Sequence, residues 1–187
     1  MKVGLLGGSF DPIHLGHLRA AENARAALAL DQVAFVPSSV PPHRPKPQAS
    51  ALDRFAMVAL ATAGHAAFRP SDVELQREGT SYTVETLRAW REKRPQDELV
   101  LLLGSDAFAE MASWKEAEAV LALCAVAVVA RPGEAREAAQ PAVLRVAGPG
   151  LEVSSSQVRG WVRDGRSVRY LVSEAVADFI EKRGLYR

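Results

Sequence analysis

Cysteine is nearly absent. Cys124 is the only one in 187 residues, so no internal disulfide can form and nothing points to an oxidising compartment. Surplus charge of one sign is missing too. The 23 basic residues face 22 acidic ones for a formal net charge of +1, which argues against a protein that coats nucleic acid or a membrane surface through charge alone. No stretch reaches the roughly 18 uninterrupted apolar residues of a membrane-spanning helix. The apolar run near the start, Val3 to Leu6, is too short for a signal peptide, so the cytosol is the expected location. Histidines number four, without a His-Glu-x-x-His pattern or clustered cysteines beside them, so no protein-held metal centre is expected. What remains is an ordinary globular composition, 48% hydrophobic and 24% charged. A chain this long buries roughly 70% of its unfolded surface, which suits a single domain over 1–187.

The hydrophobic pattern alternates between strand-like and helix-like segments. Val3 to Leu6 reads as a buried strand stopping at Gly7-Gly8, and Gly16 to Leu30 as a helix. Gln32 to Val36 is the next strand. Residues 38–50 carry Pro41, Pro42, Pro45 and Pro47 and cannot be regular structure, and a loop of that length is usually a binding loop. Ala51 to Ala63 reads as a helix, Val73 to Leu75 as a short strand, and Thr83 to Arg94 as a helix capped by Ser81 or Thr83. Leu99 to Leu103 and Ala125 to Ala130 are apolar throughout, as strands covered on both faces are, and Val143 to Val146 suits a shorter strand. Helices over Ser154 to Val162 and Ser173 to Arg183 complete the pattern. The whole predicts an α/β fold with one doubly wound, mainly parallel sheet, whose ligands sit beyond the carboxyl ends of the strands.

The most informative stretch is Gly7-Gly8-Ser9-Phe10-Asp11-Pro12-Ile13-His14-Leu15-Gly16-His17. Glycines after a buried strand let the backbone approach a ligand, and the following helix presents unpaired N–H groups and the positive end of its dipole to an anion. His14 and His17 are spaced to share one helix face. Imidazole N–H groups there would neutralise charge growing on a departing oxyanion. The loop is neither a Gly-x-x-x-x-Gly-Lys-Ser/Thr nor a Gly-x-Gly-x-x-Gly motif, which argues against a P-loop kinase and a nicotinamide dehydrogenase. Metal ligation, or a pair of rings merely satisfied in the core, are the other readings of two such histidines. Towards the far end, Ser154-Ser155-Ser156-Gln157-Val158-Arg159 offers serines at a helix start and a guanidinium fork for phosphate oxygens, or else a plain cap and a surface arginine.

Phe10-Asp11-Pro12-x-His14-x-Gly16-His17 with Ser154-Ser155-Ser156-x-x-Arg159 resembles the two-part signature of the nucleotidyltransferase superfamily. The ordered set Pro41-Pro42-His43-Arg44, Gly79-x-Ser81-Tyr82-Thr83-x-x-Thr86-Leu87, Gly104-Ser105-Asp106, Trp114 and Arg131-Pro132-Gly133 is similar, over nearly the whole chain, to the bacterial nicotinate mononucleotide adenylyltransferases. That resemblance implies a Rossmann-like nucleotidyltransferase fold and adenylyl transfer from ATP, with Mg²⁺ carried by the phosphates, to nicotinate mononucleotide. It implies that His14, His17 and Arg159 act on the ATP phosphates, with Gly8, Ser9, Phe10 and Ser154 completing the cradle and Asp106 accepting ribose hydroxyls. It further implies that Trp114 stacks on the pyridine ring, that Tyr82, Thr83 and Lys115 surround the nicotinate carboxylate, and that Arg44 and Arg131 face the mononucleotide phosphate. Three positions depart from the family pattern: Ser9 where threonine is common, Val153-Ser154-Ser155-Ser156 for Ile-Ser-Ser-Thr, and Lys115 after the tryptophan.

Blander readings stand beside these. Trp114 on an alanine-rich stretch is often core, Tyr82-Thr83 serves as a helix cap, and the run Arg159, Arg163, Arg166, Arg169 coats a solvated face. Asp164 and the near-neutral total speak against a nucleic-acid surface. A sister adenylyltransferase with another phosphorylated acceptor, a non-catalytic nucleotide-binding module, and an RNA-binding relative are the rival functions. Trp114 with Ser81-Tyr82-Thr83 disfavours the first, the intact His14, His17 and Arg159 the second, and the absence of room for an appendage the third.

Overall fold

The computed structural model describes residues 1–42, 45–77, 79–130 and 143–187. Among these residues the chain forms β1 (Lys2–Gly8), α1 (Leu15–Leu28), β2 (Gln32–Pro37), α2 (Ala51–Thr62), β3 (Phe68–Pro70), α3 (Thr83–Lys93), β4 (Glu98–Gly104), α4 (Ser105–Glu110), α5 (Ala117–Leu123), β5 (Ala125–Val129), β6 (Val143–Val146), α6 (Ser155–Arg163) and α7 (Glu174–Arg183). A 3-10 turn over Met111–Ser113 links α4 to α5. The strands make one sheet in the order β3-β2-β1-β4-β5-β6, and each adjacent pair is parallel. The doubly wound α/β expectation is met, with a sheet wholly parallel among the described strands.

Sequence explains why the sheet is sandwiched. In β4 the five residues from Leu99 to Leu103 are all buried. Leu99, Leu101 and Leu103 pack with Val84, Leu87 and Trp90 of α3 and Val120 of α5. Val100 and Leu102 point the other way, into a core with Ala21 and Ala24 of α1, Met57 of α2, Val158 of α6 and Ile180 of α7. Period-2 alternation with both sides apolar therefore specifies helices on both faces. Each such side chain contributes about 1.5–3 kcal/mol on burial. β1 lies between β2 and β4, so the chain winds outward from it in both directions. The crevice where strand order reverses opens at Gly7-Gly8 of β1 and Gly104 of β4.

Two sequence expectations fail here. Val73 to Leu75 is no strand: Val73 and Glu74 are consecutive and both buried, and the amides of Leu75 and Gln76 close a turn onto the Asp72 carbonyl at 2.8 and 3.1 Å. The strand is instead Phe68–Pro70, three residues paired to β2 and ended by a proline at the sheet edge. The cap of α3 is Tyr82, without a side-chain capping bond, rather than Ser81 or Thr83. Among the described residues no helix is long and apolar enough to cross a membrane.

Burial beneath α5 pushes the Cys124 thiol up to about 11, and its sulfur sits 3.3 Å from the Val120 carbonyl. At pH 8 the thiolate fraction is then about one in a thousand. Iodoacetamide should leave Cys124 unmodified in the native protein and label it fully in urea, read by mass spectrometry. Labelling of the native protein at the rate of a free thiol would refute this burial.

Candidate active site

The loop after β1 turns sharply to start α1. Phe10 adopts a left-handed φ of 47°, an uncommon state for a bulky residue, and its ring is buried beside Phe35 at 6.0 Å between centroids. His14 is the N-cap of α1 in extended conformation. Its carbonyl accepts the His17 amide at 3.0 Å, and its own amide donates to His17 Nδ1 at 3.2 Å. The two imidazoles stack with centroids 3.7 Å apart and planes 22° apart, and Phe10 meets the His17 ring edge-on at 5.1 Å. The sequence expectation that both rings share one spot is met.

The bond to Nδ1 fixes the tautomer of His17. A nitrogen that accepts an N–H carries no proton, so the ring proton resides on Nε2 and that nitrogen is a donor. Gly16 makes the stack possible. A Cβ there would sit 3.0 Å from His14 Nδ1 and 3.0 Å from Val153 Cγ1, wedging the ring away from the segment that leads into α6.

Asp11 anchors this half of the site. Its carboxylate is buried and accepts the amides of Gln48 at 2.8 Å and Ala49 at 3.0 Å, and the Tyr186 hydroxyl at 2.8 Å. Its carbonyl accepts Arg159 Nη1 at 2.7 Å, which also lies 3.8 Å from the carboxylate. The Ser155 hydroxyl donates to the Pro12 carbonyl at 2.9 Å. Both contacts bring the start of α6 against the first loop. Ser154 caps α6 by accepting the Gln157 amide at 3.2 Å.

Beneath them Arg54, 1% exposed, ties three loops together. It donates to the carbonyls of Ser9 at 2.7 Å, Ser38 at 2.7 Å and Ala49 at 3.3 Å. Burial pulls its guanidinium below the ordinary value, and the charge of Asp11 opposes that shift. Burial likewise raises the Tyr186 phenol, with the Asp11 charge and hydrogen bond adding to the rise.

Beyond Gly8 and Ser9 lies a cavity of about 190 Å³, walled by Tyr82 and Thr83 at the start of α3 and by Trp114 and Lys115. Gly8 borders it, and a Cβ there would meet the Phe10 ring at 3.2 Å. Trp114 ends the 3-10 turn and packs on the α3 side of the core, as the blander reading has it, while also lining the cavity. Lys115 Nζ is 2.6 Å from Glu85 Oε1 and 4.4 Å above the Tyr82 ring. Glu74 also lines the cavity, buried, and receives the Thr86 hydroxyl at 2.6 Å. Burial raises its carboxyl above the usual range, against opposing pulls from the Thr86 and Ser81 hydroxyls and Arg77.

The structure thus gathers the expected residues into two adjoining groups. His14, His17, Phe10, Ser154 and Arg159 surround the first loop, while Gly8, Ser9, Tyr82, Thr83, Trp114 and Lys115 line the cavity. Asp106 is exposed in the first turn of α4, past the end of β4. Arg44 and Arg131, with His43 and Pro132-Gly133, lie outside the described residues. Sequence reasoning gave no role to Asp11, Arg54, Glu74 or Tyr186. Arg54 was the most detectable of them, a charge directly before the apolar stretch Phe55-Ala56-Met57-Val58 of α2.

A family model described as cytidylyltransferase-like matches residues 5–160. A protein of Thermus thermophilus named as a probable nicotinate-nucleotide adenylyltransferase is 48% identical over 187 residues, covering 100% of both chains. One of the same name from Geobacter sulfurreducens is 42% identical over 212 residues, covering 100% of this chain and 98% of that protein. Among solved structures, nicotinic acid mononucleotide adenylyltransferase of Plasmodium falciparum complexed with NaAD shares the fold with a TM-score of 0.82 at 20% identity, over 99% of this chain and 97% of that one.

Removing the Tyr186 hydroxyl leaves the buried Asp11 carboxylate one donor short. Tyr186→Phe should lower the unfolding free energy by about 1.5–3 kcal/mol, the range for a hydrogen bond to a charged group, measured by urea denaturation. A change under about 0.5 kcal/mol, typical of surface substitutions, would show that the carboxylate does not depend on this bond.

Proposed function

The chain belongs to the cytidylyltransferase-like family and, within it, to the nicotinate-nucleotide adenylyltransferases, and from that premise we infer that it transfers the adenylyl group of ATP to nicotinate mononucleotide. The products are nicotinate adenine dinucleotide and pyrophosphate, a step of NAD biosynthesis. One observation carries the reading from the geometry: a stacked imidazole pair on the N-terminus of α1 adjoins a cavity with an aromatic wall at the strand-order switch.

The reaction needs little acid–base chemistry. A phosphate oxygen of the mononucleotide, ionised at neutral pH, attacks the α-phosphorus of ATP. The bond from that phosphorus to the bridging oxygen breaks, and its electron pair leaves with pyrophosphate. The obstacle is to bring two polyanions in line and to hold the charge that collects on the leaving group. His17 Nε2–H, His14 and the Arg159 fork are the donors for this, at the start of α1 where the helix dipole is positive. Asp11 faces away into Tyr186 and the 48–49 amides, so its charge is already spent.

Mg²⁺ enters as part of the ATP substrate and offsets phosphate charge. The cradle offers N–H donors and a guanidinium, poor partners for a hard cation, so the phosphate oxygens would hold the metal. In the cavity, the flat Trp114 ring is suited to stack on the pyridine, and the start of α3 near Thr83 offers amides to its carboxylate, with Lys115 at the rim. Asp106, exposed in the first turn of α4, remains the expected acceptor of ribose hydroxyls. Arg44 and Arg131 remain the expected contacts of the mononucleotide phosphate.

Pyrophosphate release should be rapid with ATP plus nicotinate mononucleotide and slow with phosphopantetheine in its place. Release with phosphopantetheine alone would overturn the assignment. His17→Ala should lower kcat by about a hundredfold or more, as loss of an oxyanion donor does. Turnover within about tenfold of the parent would remove His17 from the role. Trp114→Ala should raise KM for the mononucleotide and leave KM for ATP near its original value. An unchanged mononucleotide KM would take Trp114 out of the site.

A further inference from the structure

Glu74 is the most deeply buried acid bordering the acceptor cavity, and no step of the reaction uses it. Its surroundings show what it holds. Glu74 lies in the turn between β3 and α3, and its Oε1 receives the Thr86 hydroxyl at 2.6 Å. Thr86 accepts Arg77 Nη2 at 2.9 Å, and its amide closes the first turn of α3 on the Tyr82 carbonyl at 3.2 Å. The Ser81 hydroxyl is the other one interacting with the Glu74 carboxylate. Ser81 also accepts the Ser39 amide at 2.9 Å, and its own amide donates to the Val40 carbonyl at 2.9 Å. Through the Thr86 hydroxyl the carboxylate reaches the start of α3, and Ser81, next in the chain to Tyr82, bonds the segment after β2.

These two segments adjoin through the Val40–Thr80 bridge, and both line the cavity: Tyr82 and Thr83 from one, Ser38 and Pro41 from the other. Tyr82 has no side-chain capping bond of its own, so Thr86 and Glu74 supply the restraint that a cap would otherwise give. An uncompensated carboxylate would not be kept under cover unless its hydrogen bonds organised something.

We propose that Glu74 is a positioning residue for the acceptor half of the site, fixing the start of α3 and the Ser38–Pro42 segment at the spacing the mononucleotide requires. It touches neither ATP nor the reacting phosphorus. Its effect therefore falls on acceptor affinity and leaves the chemical step and ATP binding alone. The acceptor's identity rests on the function inferred above, whereas the coupling of Glu74 to the two walls does not.

Three variants and two readouts test this. Glu74→Ala should raise KM for nicotinate mononucleotide about tenfold, with kcat and KM for ATP within about twofold of the parent. Glu74→Gln keeps an acceptor for Thr86 and should restore KM to within about threefold. Thr86→Val, which removes the linking hydroxyl and leaves the carboxylate, should show the same split and serves if Glu74→Ala does not fold. A purely structural role would reduce the amount of active enzyme without moving KM. An unchanged mononucleotide KM in both Glu74→Ala and Thr86→Val, or an equal rise in KM for ATP, overturns the proposal. Without any substrate, hydrogen exchange at the amides of Ser39, Ser81 and Thr86 should quicken at least about tenfold in Thr86→Val while the Val158 amide of α6 is unchanged. Equal protection in parent and variant also overturns it. Should the parent fail to turn over nicotinate mononucleotide, the inferred function falls and the exchange experiment still decides the role of Glu74.

Discussion

The carboxylate of Asp11 is the interaction on which the catalytic half of this molecule depends. Sealing a charge away from water costs several kcal/mol unless each oxygen finds donors. Here the donors come from places far apart in the chain: the amides of residues 48 and 49, the Tyr186 hydroxyl, and Arg159 nearby. Satisfying one carboxylate therefore drags the proline-rich loop, the last residues and α6 onto the loop that carries the two histidines. Arg54 repeats the logic with the opposite sign, using backbone carbonyls of three loops as its acceptors. A buried charge thus adds rigidity to loops far apart in the chain, beside the apolar packing of Phe10, Ile13 and Ala49.

That rigidity is what adenylyl transfer asks of a protein. Neither reactant needs a proton removed, so rate comes from donors fixed in advance where charge will gather. The imidazole stack is fixed at both ends, by the His14 amide bonded to His17 Nδ1 and by the close approach of Val153 at Gly16. Glu74 does for the acceptor side what Asp11 does for the phosphate side: one buried acid, two loops, no contact with the reaction. The division also explains why a near-neutral chain suffices for two polyanionic substrates. Near the site, positive potential comes from helix starts and a few guanidinium groups, while Asp11 and Glu74 are buried.

Much of this was legible in the sequence. β1, β2, β4 and β5 were readable as apolar runs ended by glycine, proline or arginine, because strands covered on both faces have no polar side to show, whereas β6, with Leu144 and Arg145 exposed, was readable only as a shorter strand. β3 was not, since three residues closing on Pro70 carry no period, and the buried Val73-Glu74 pair imitated a strand while forming a turn. The histidine pair was legible because its spacing is a property of one helix. Asp11 and Tyr186 were not, because nothing local announces a bond spanning 175 positions. The cap of α3 was misplaced for a related reason: Ser81 has the right chemistry, but its hydroxyl accepts the Ser39 amide instead.

The central claim is that the imidazole couple offers a fixed N–H to the ATP phosphates. Nitrogen-15 NMR of labelled protein reads this directly at His17. The account predicts the Nε2–H tautomer in the free protein and a large shift of that nitrogen when a non-hydrolysable ATP analogue saturates the site. A proton on Nδ1, or an Nε2 resonance that stays in place while the analogue is bound, would contradict it.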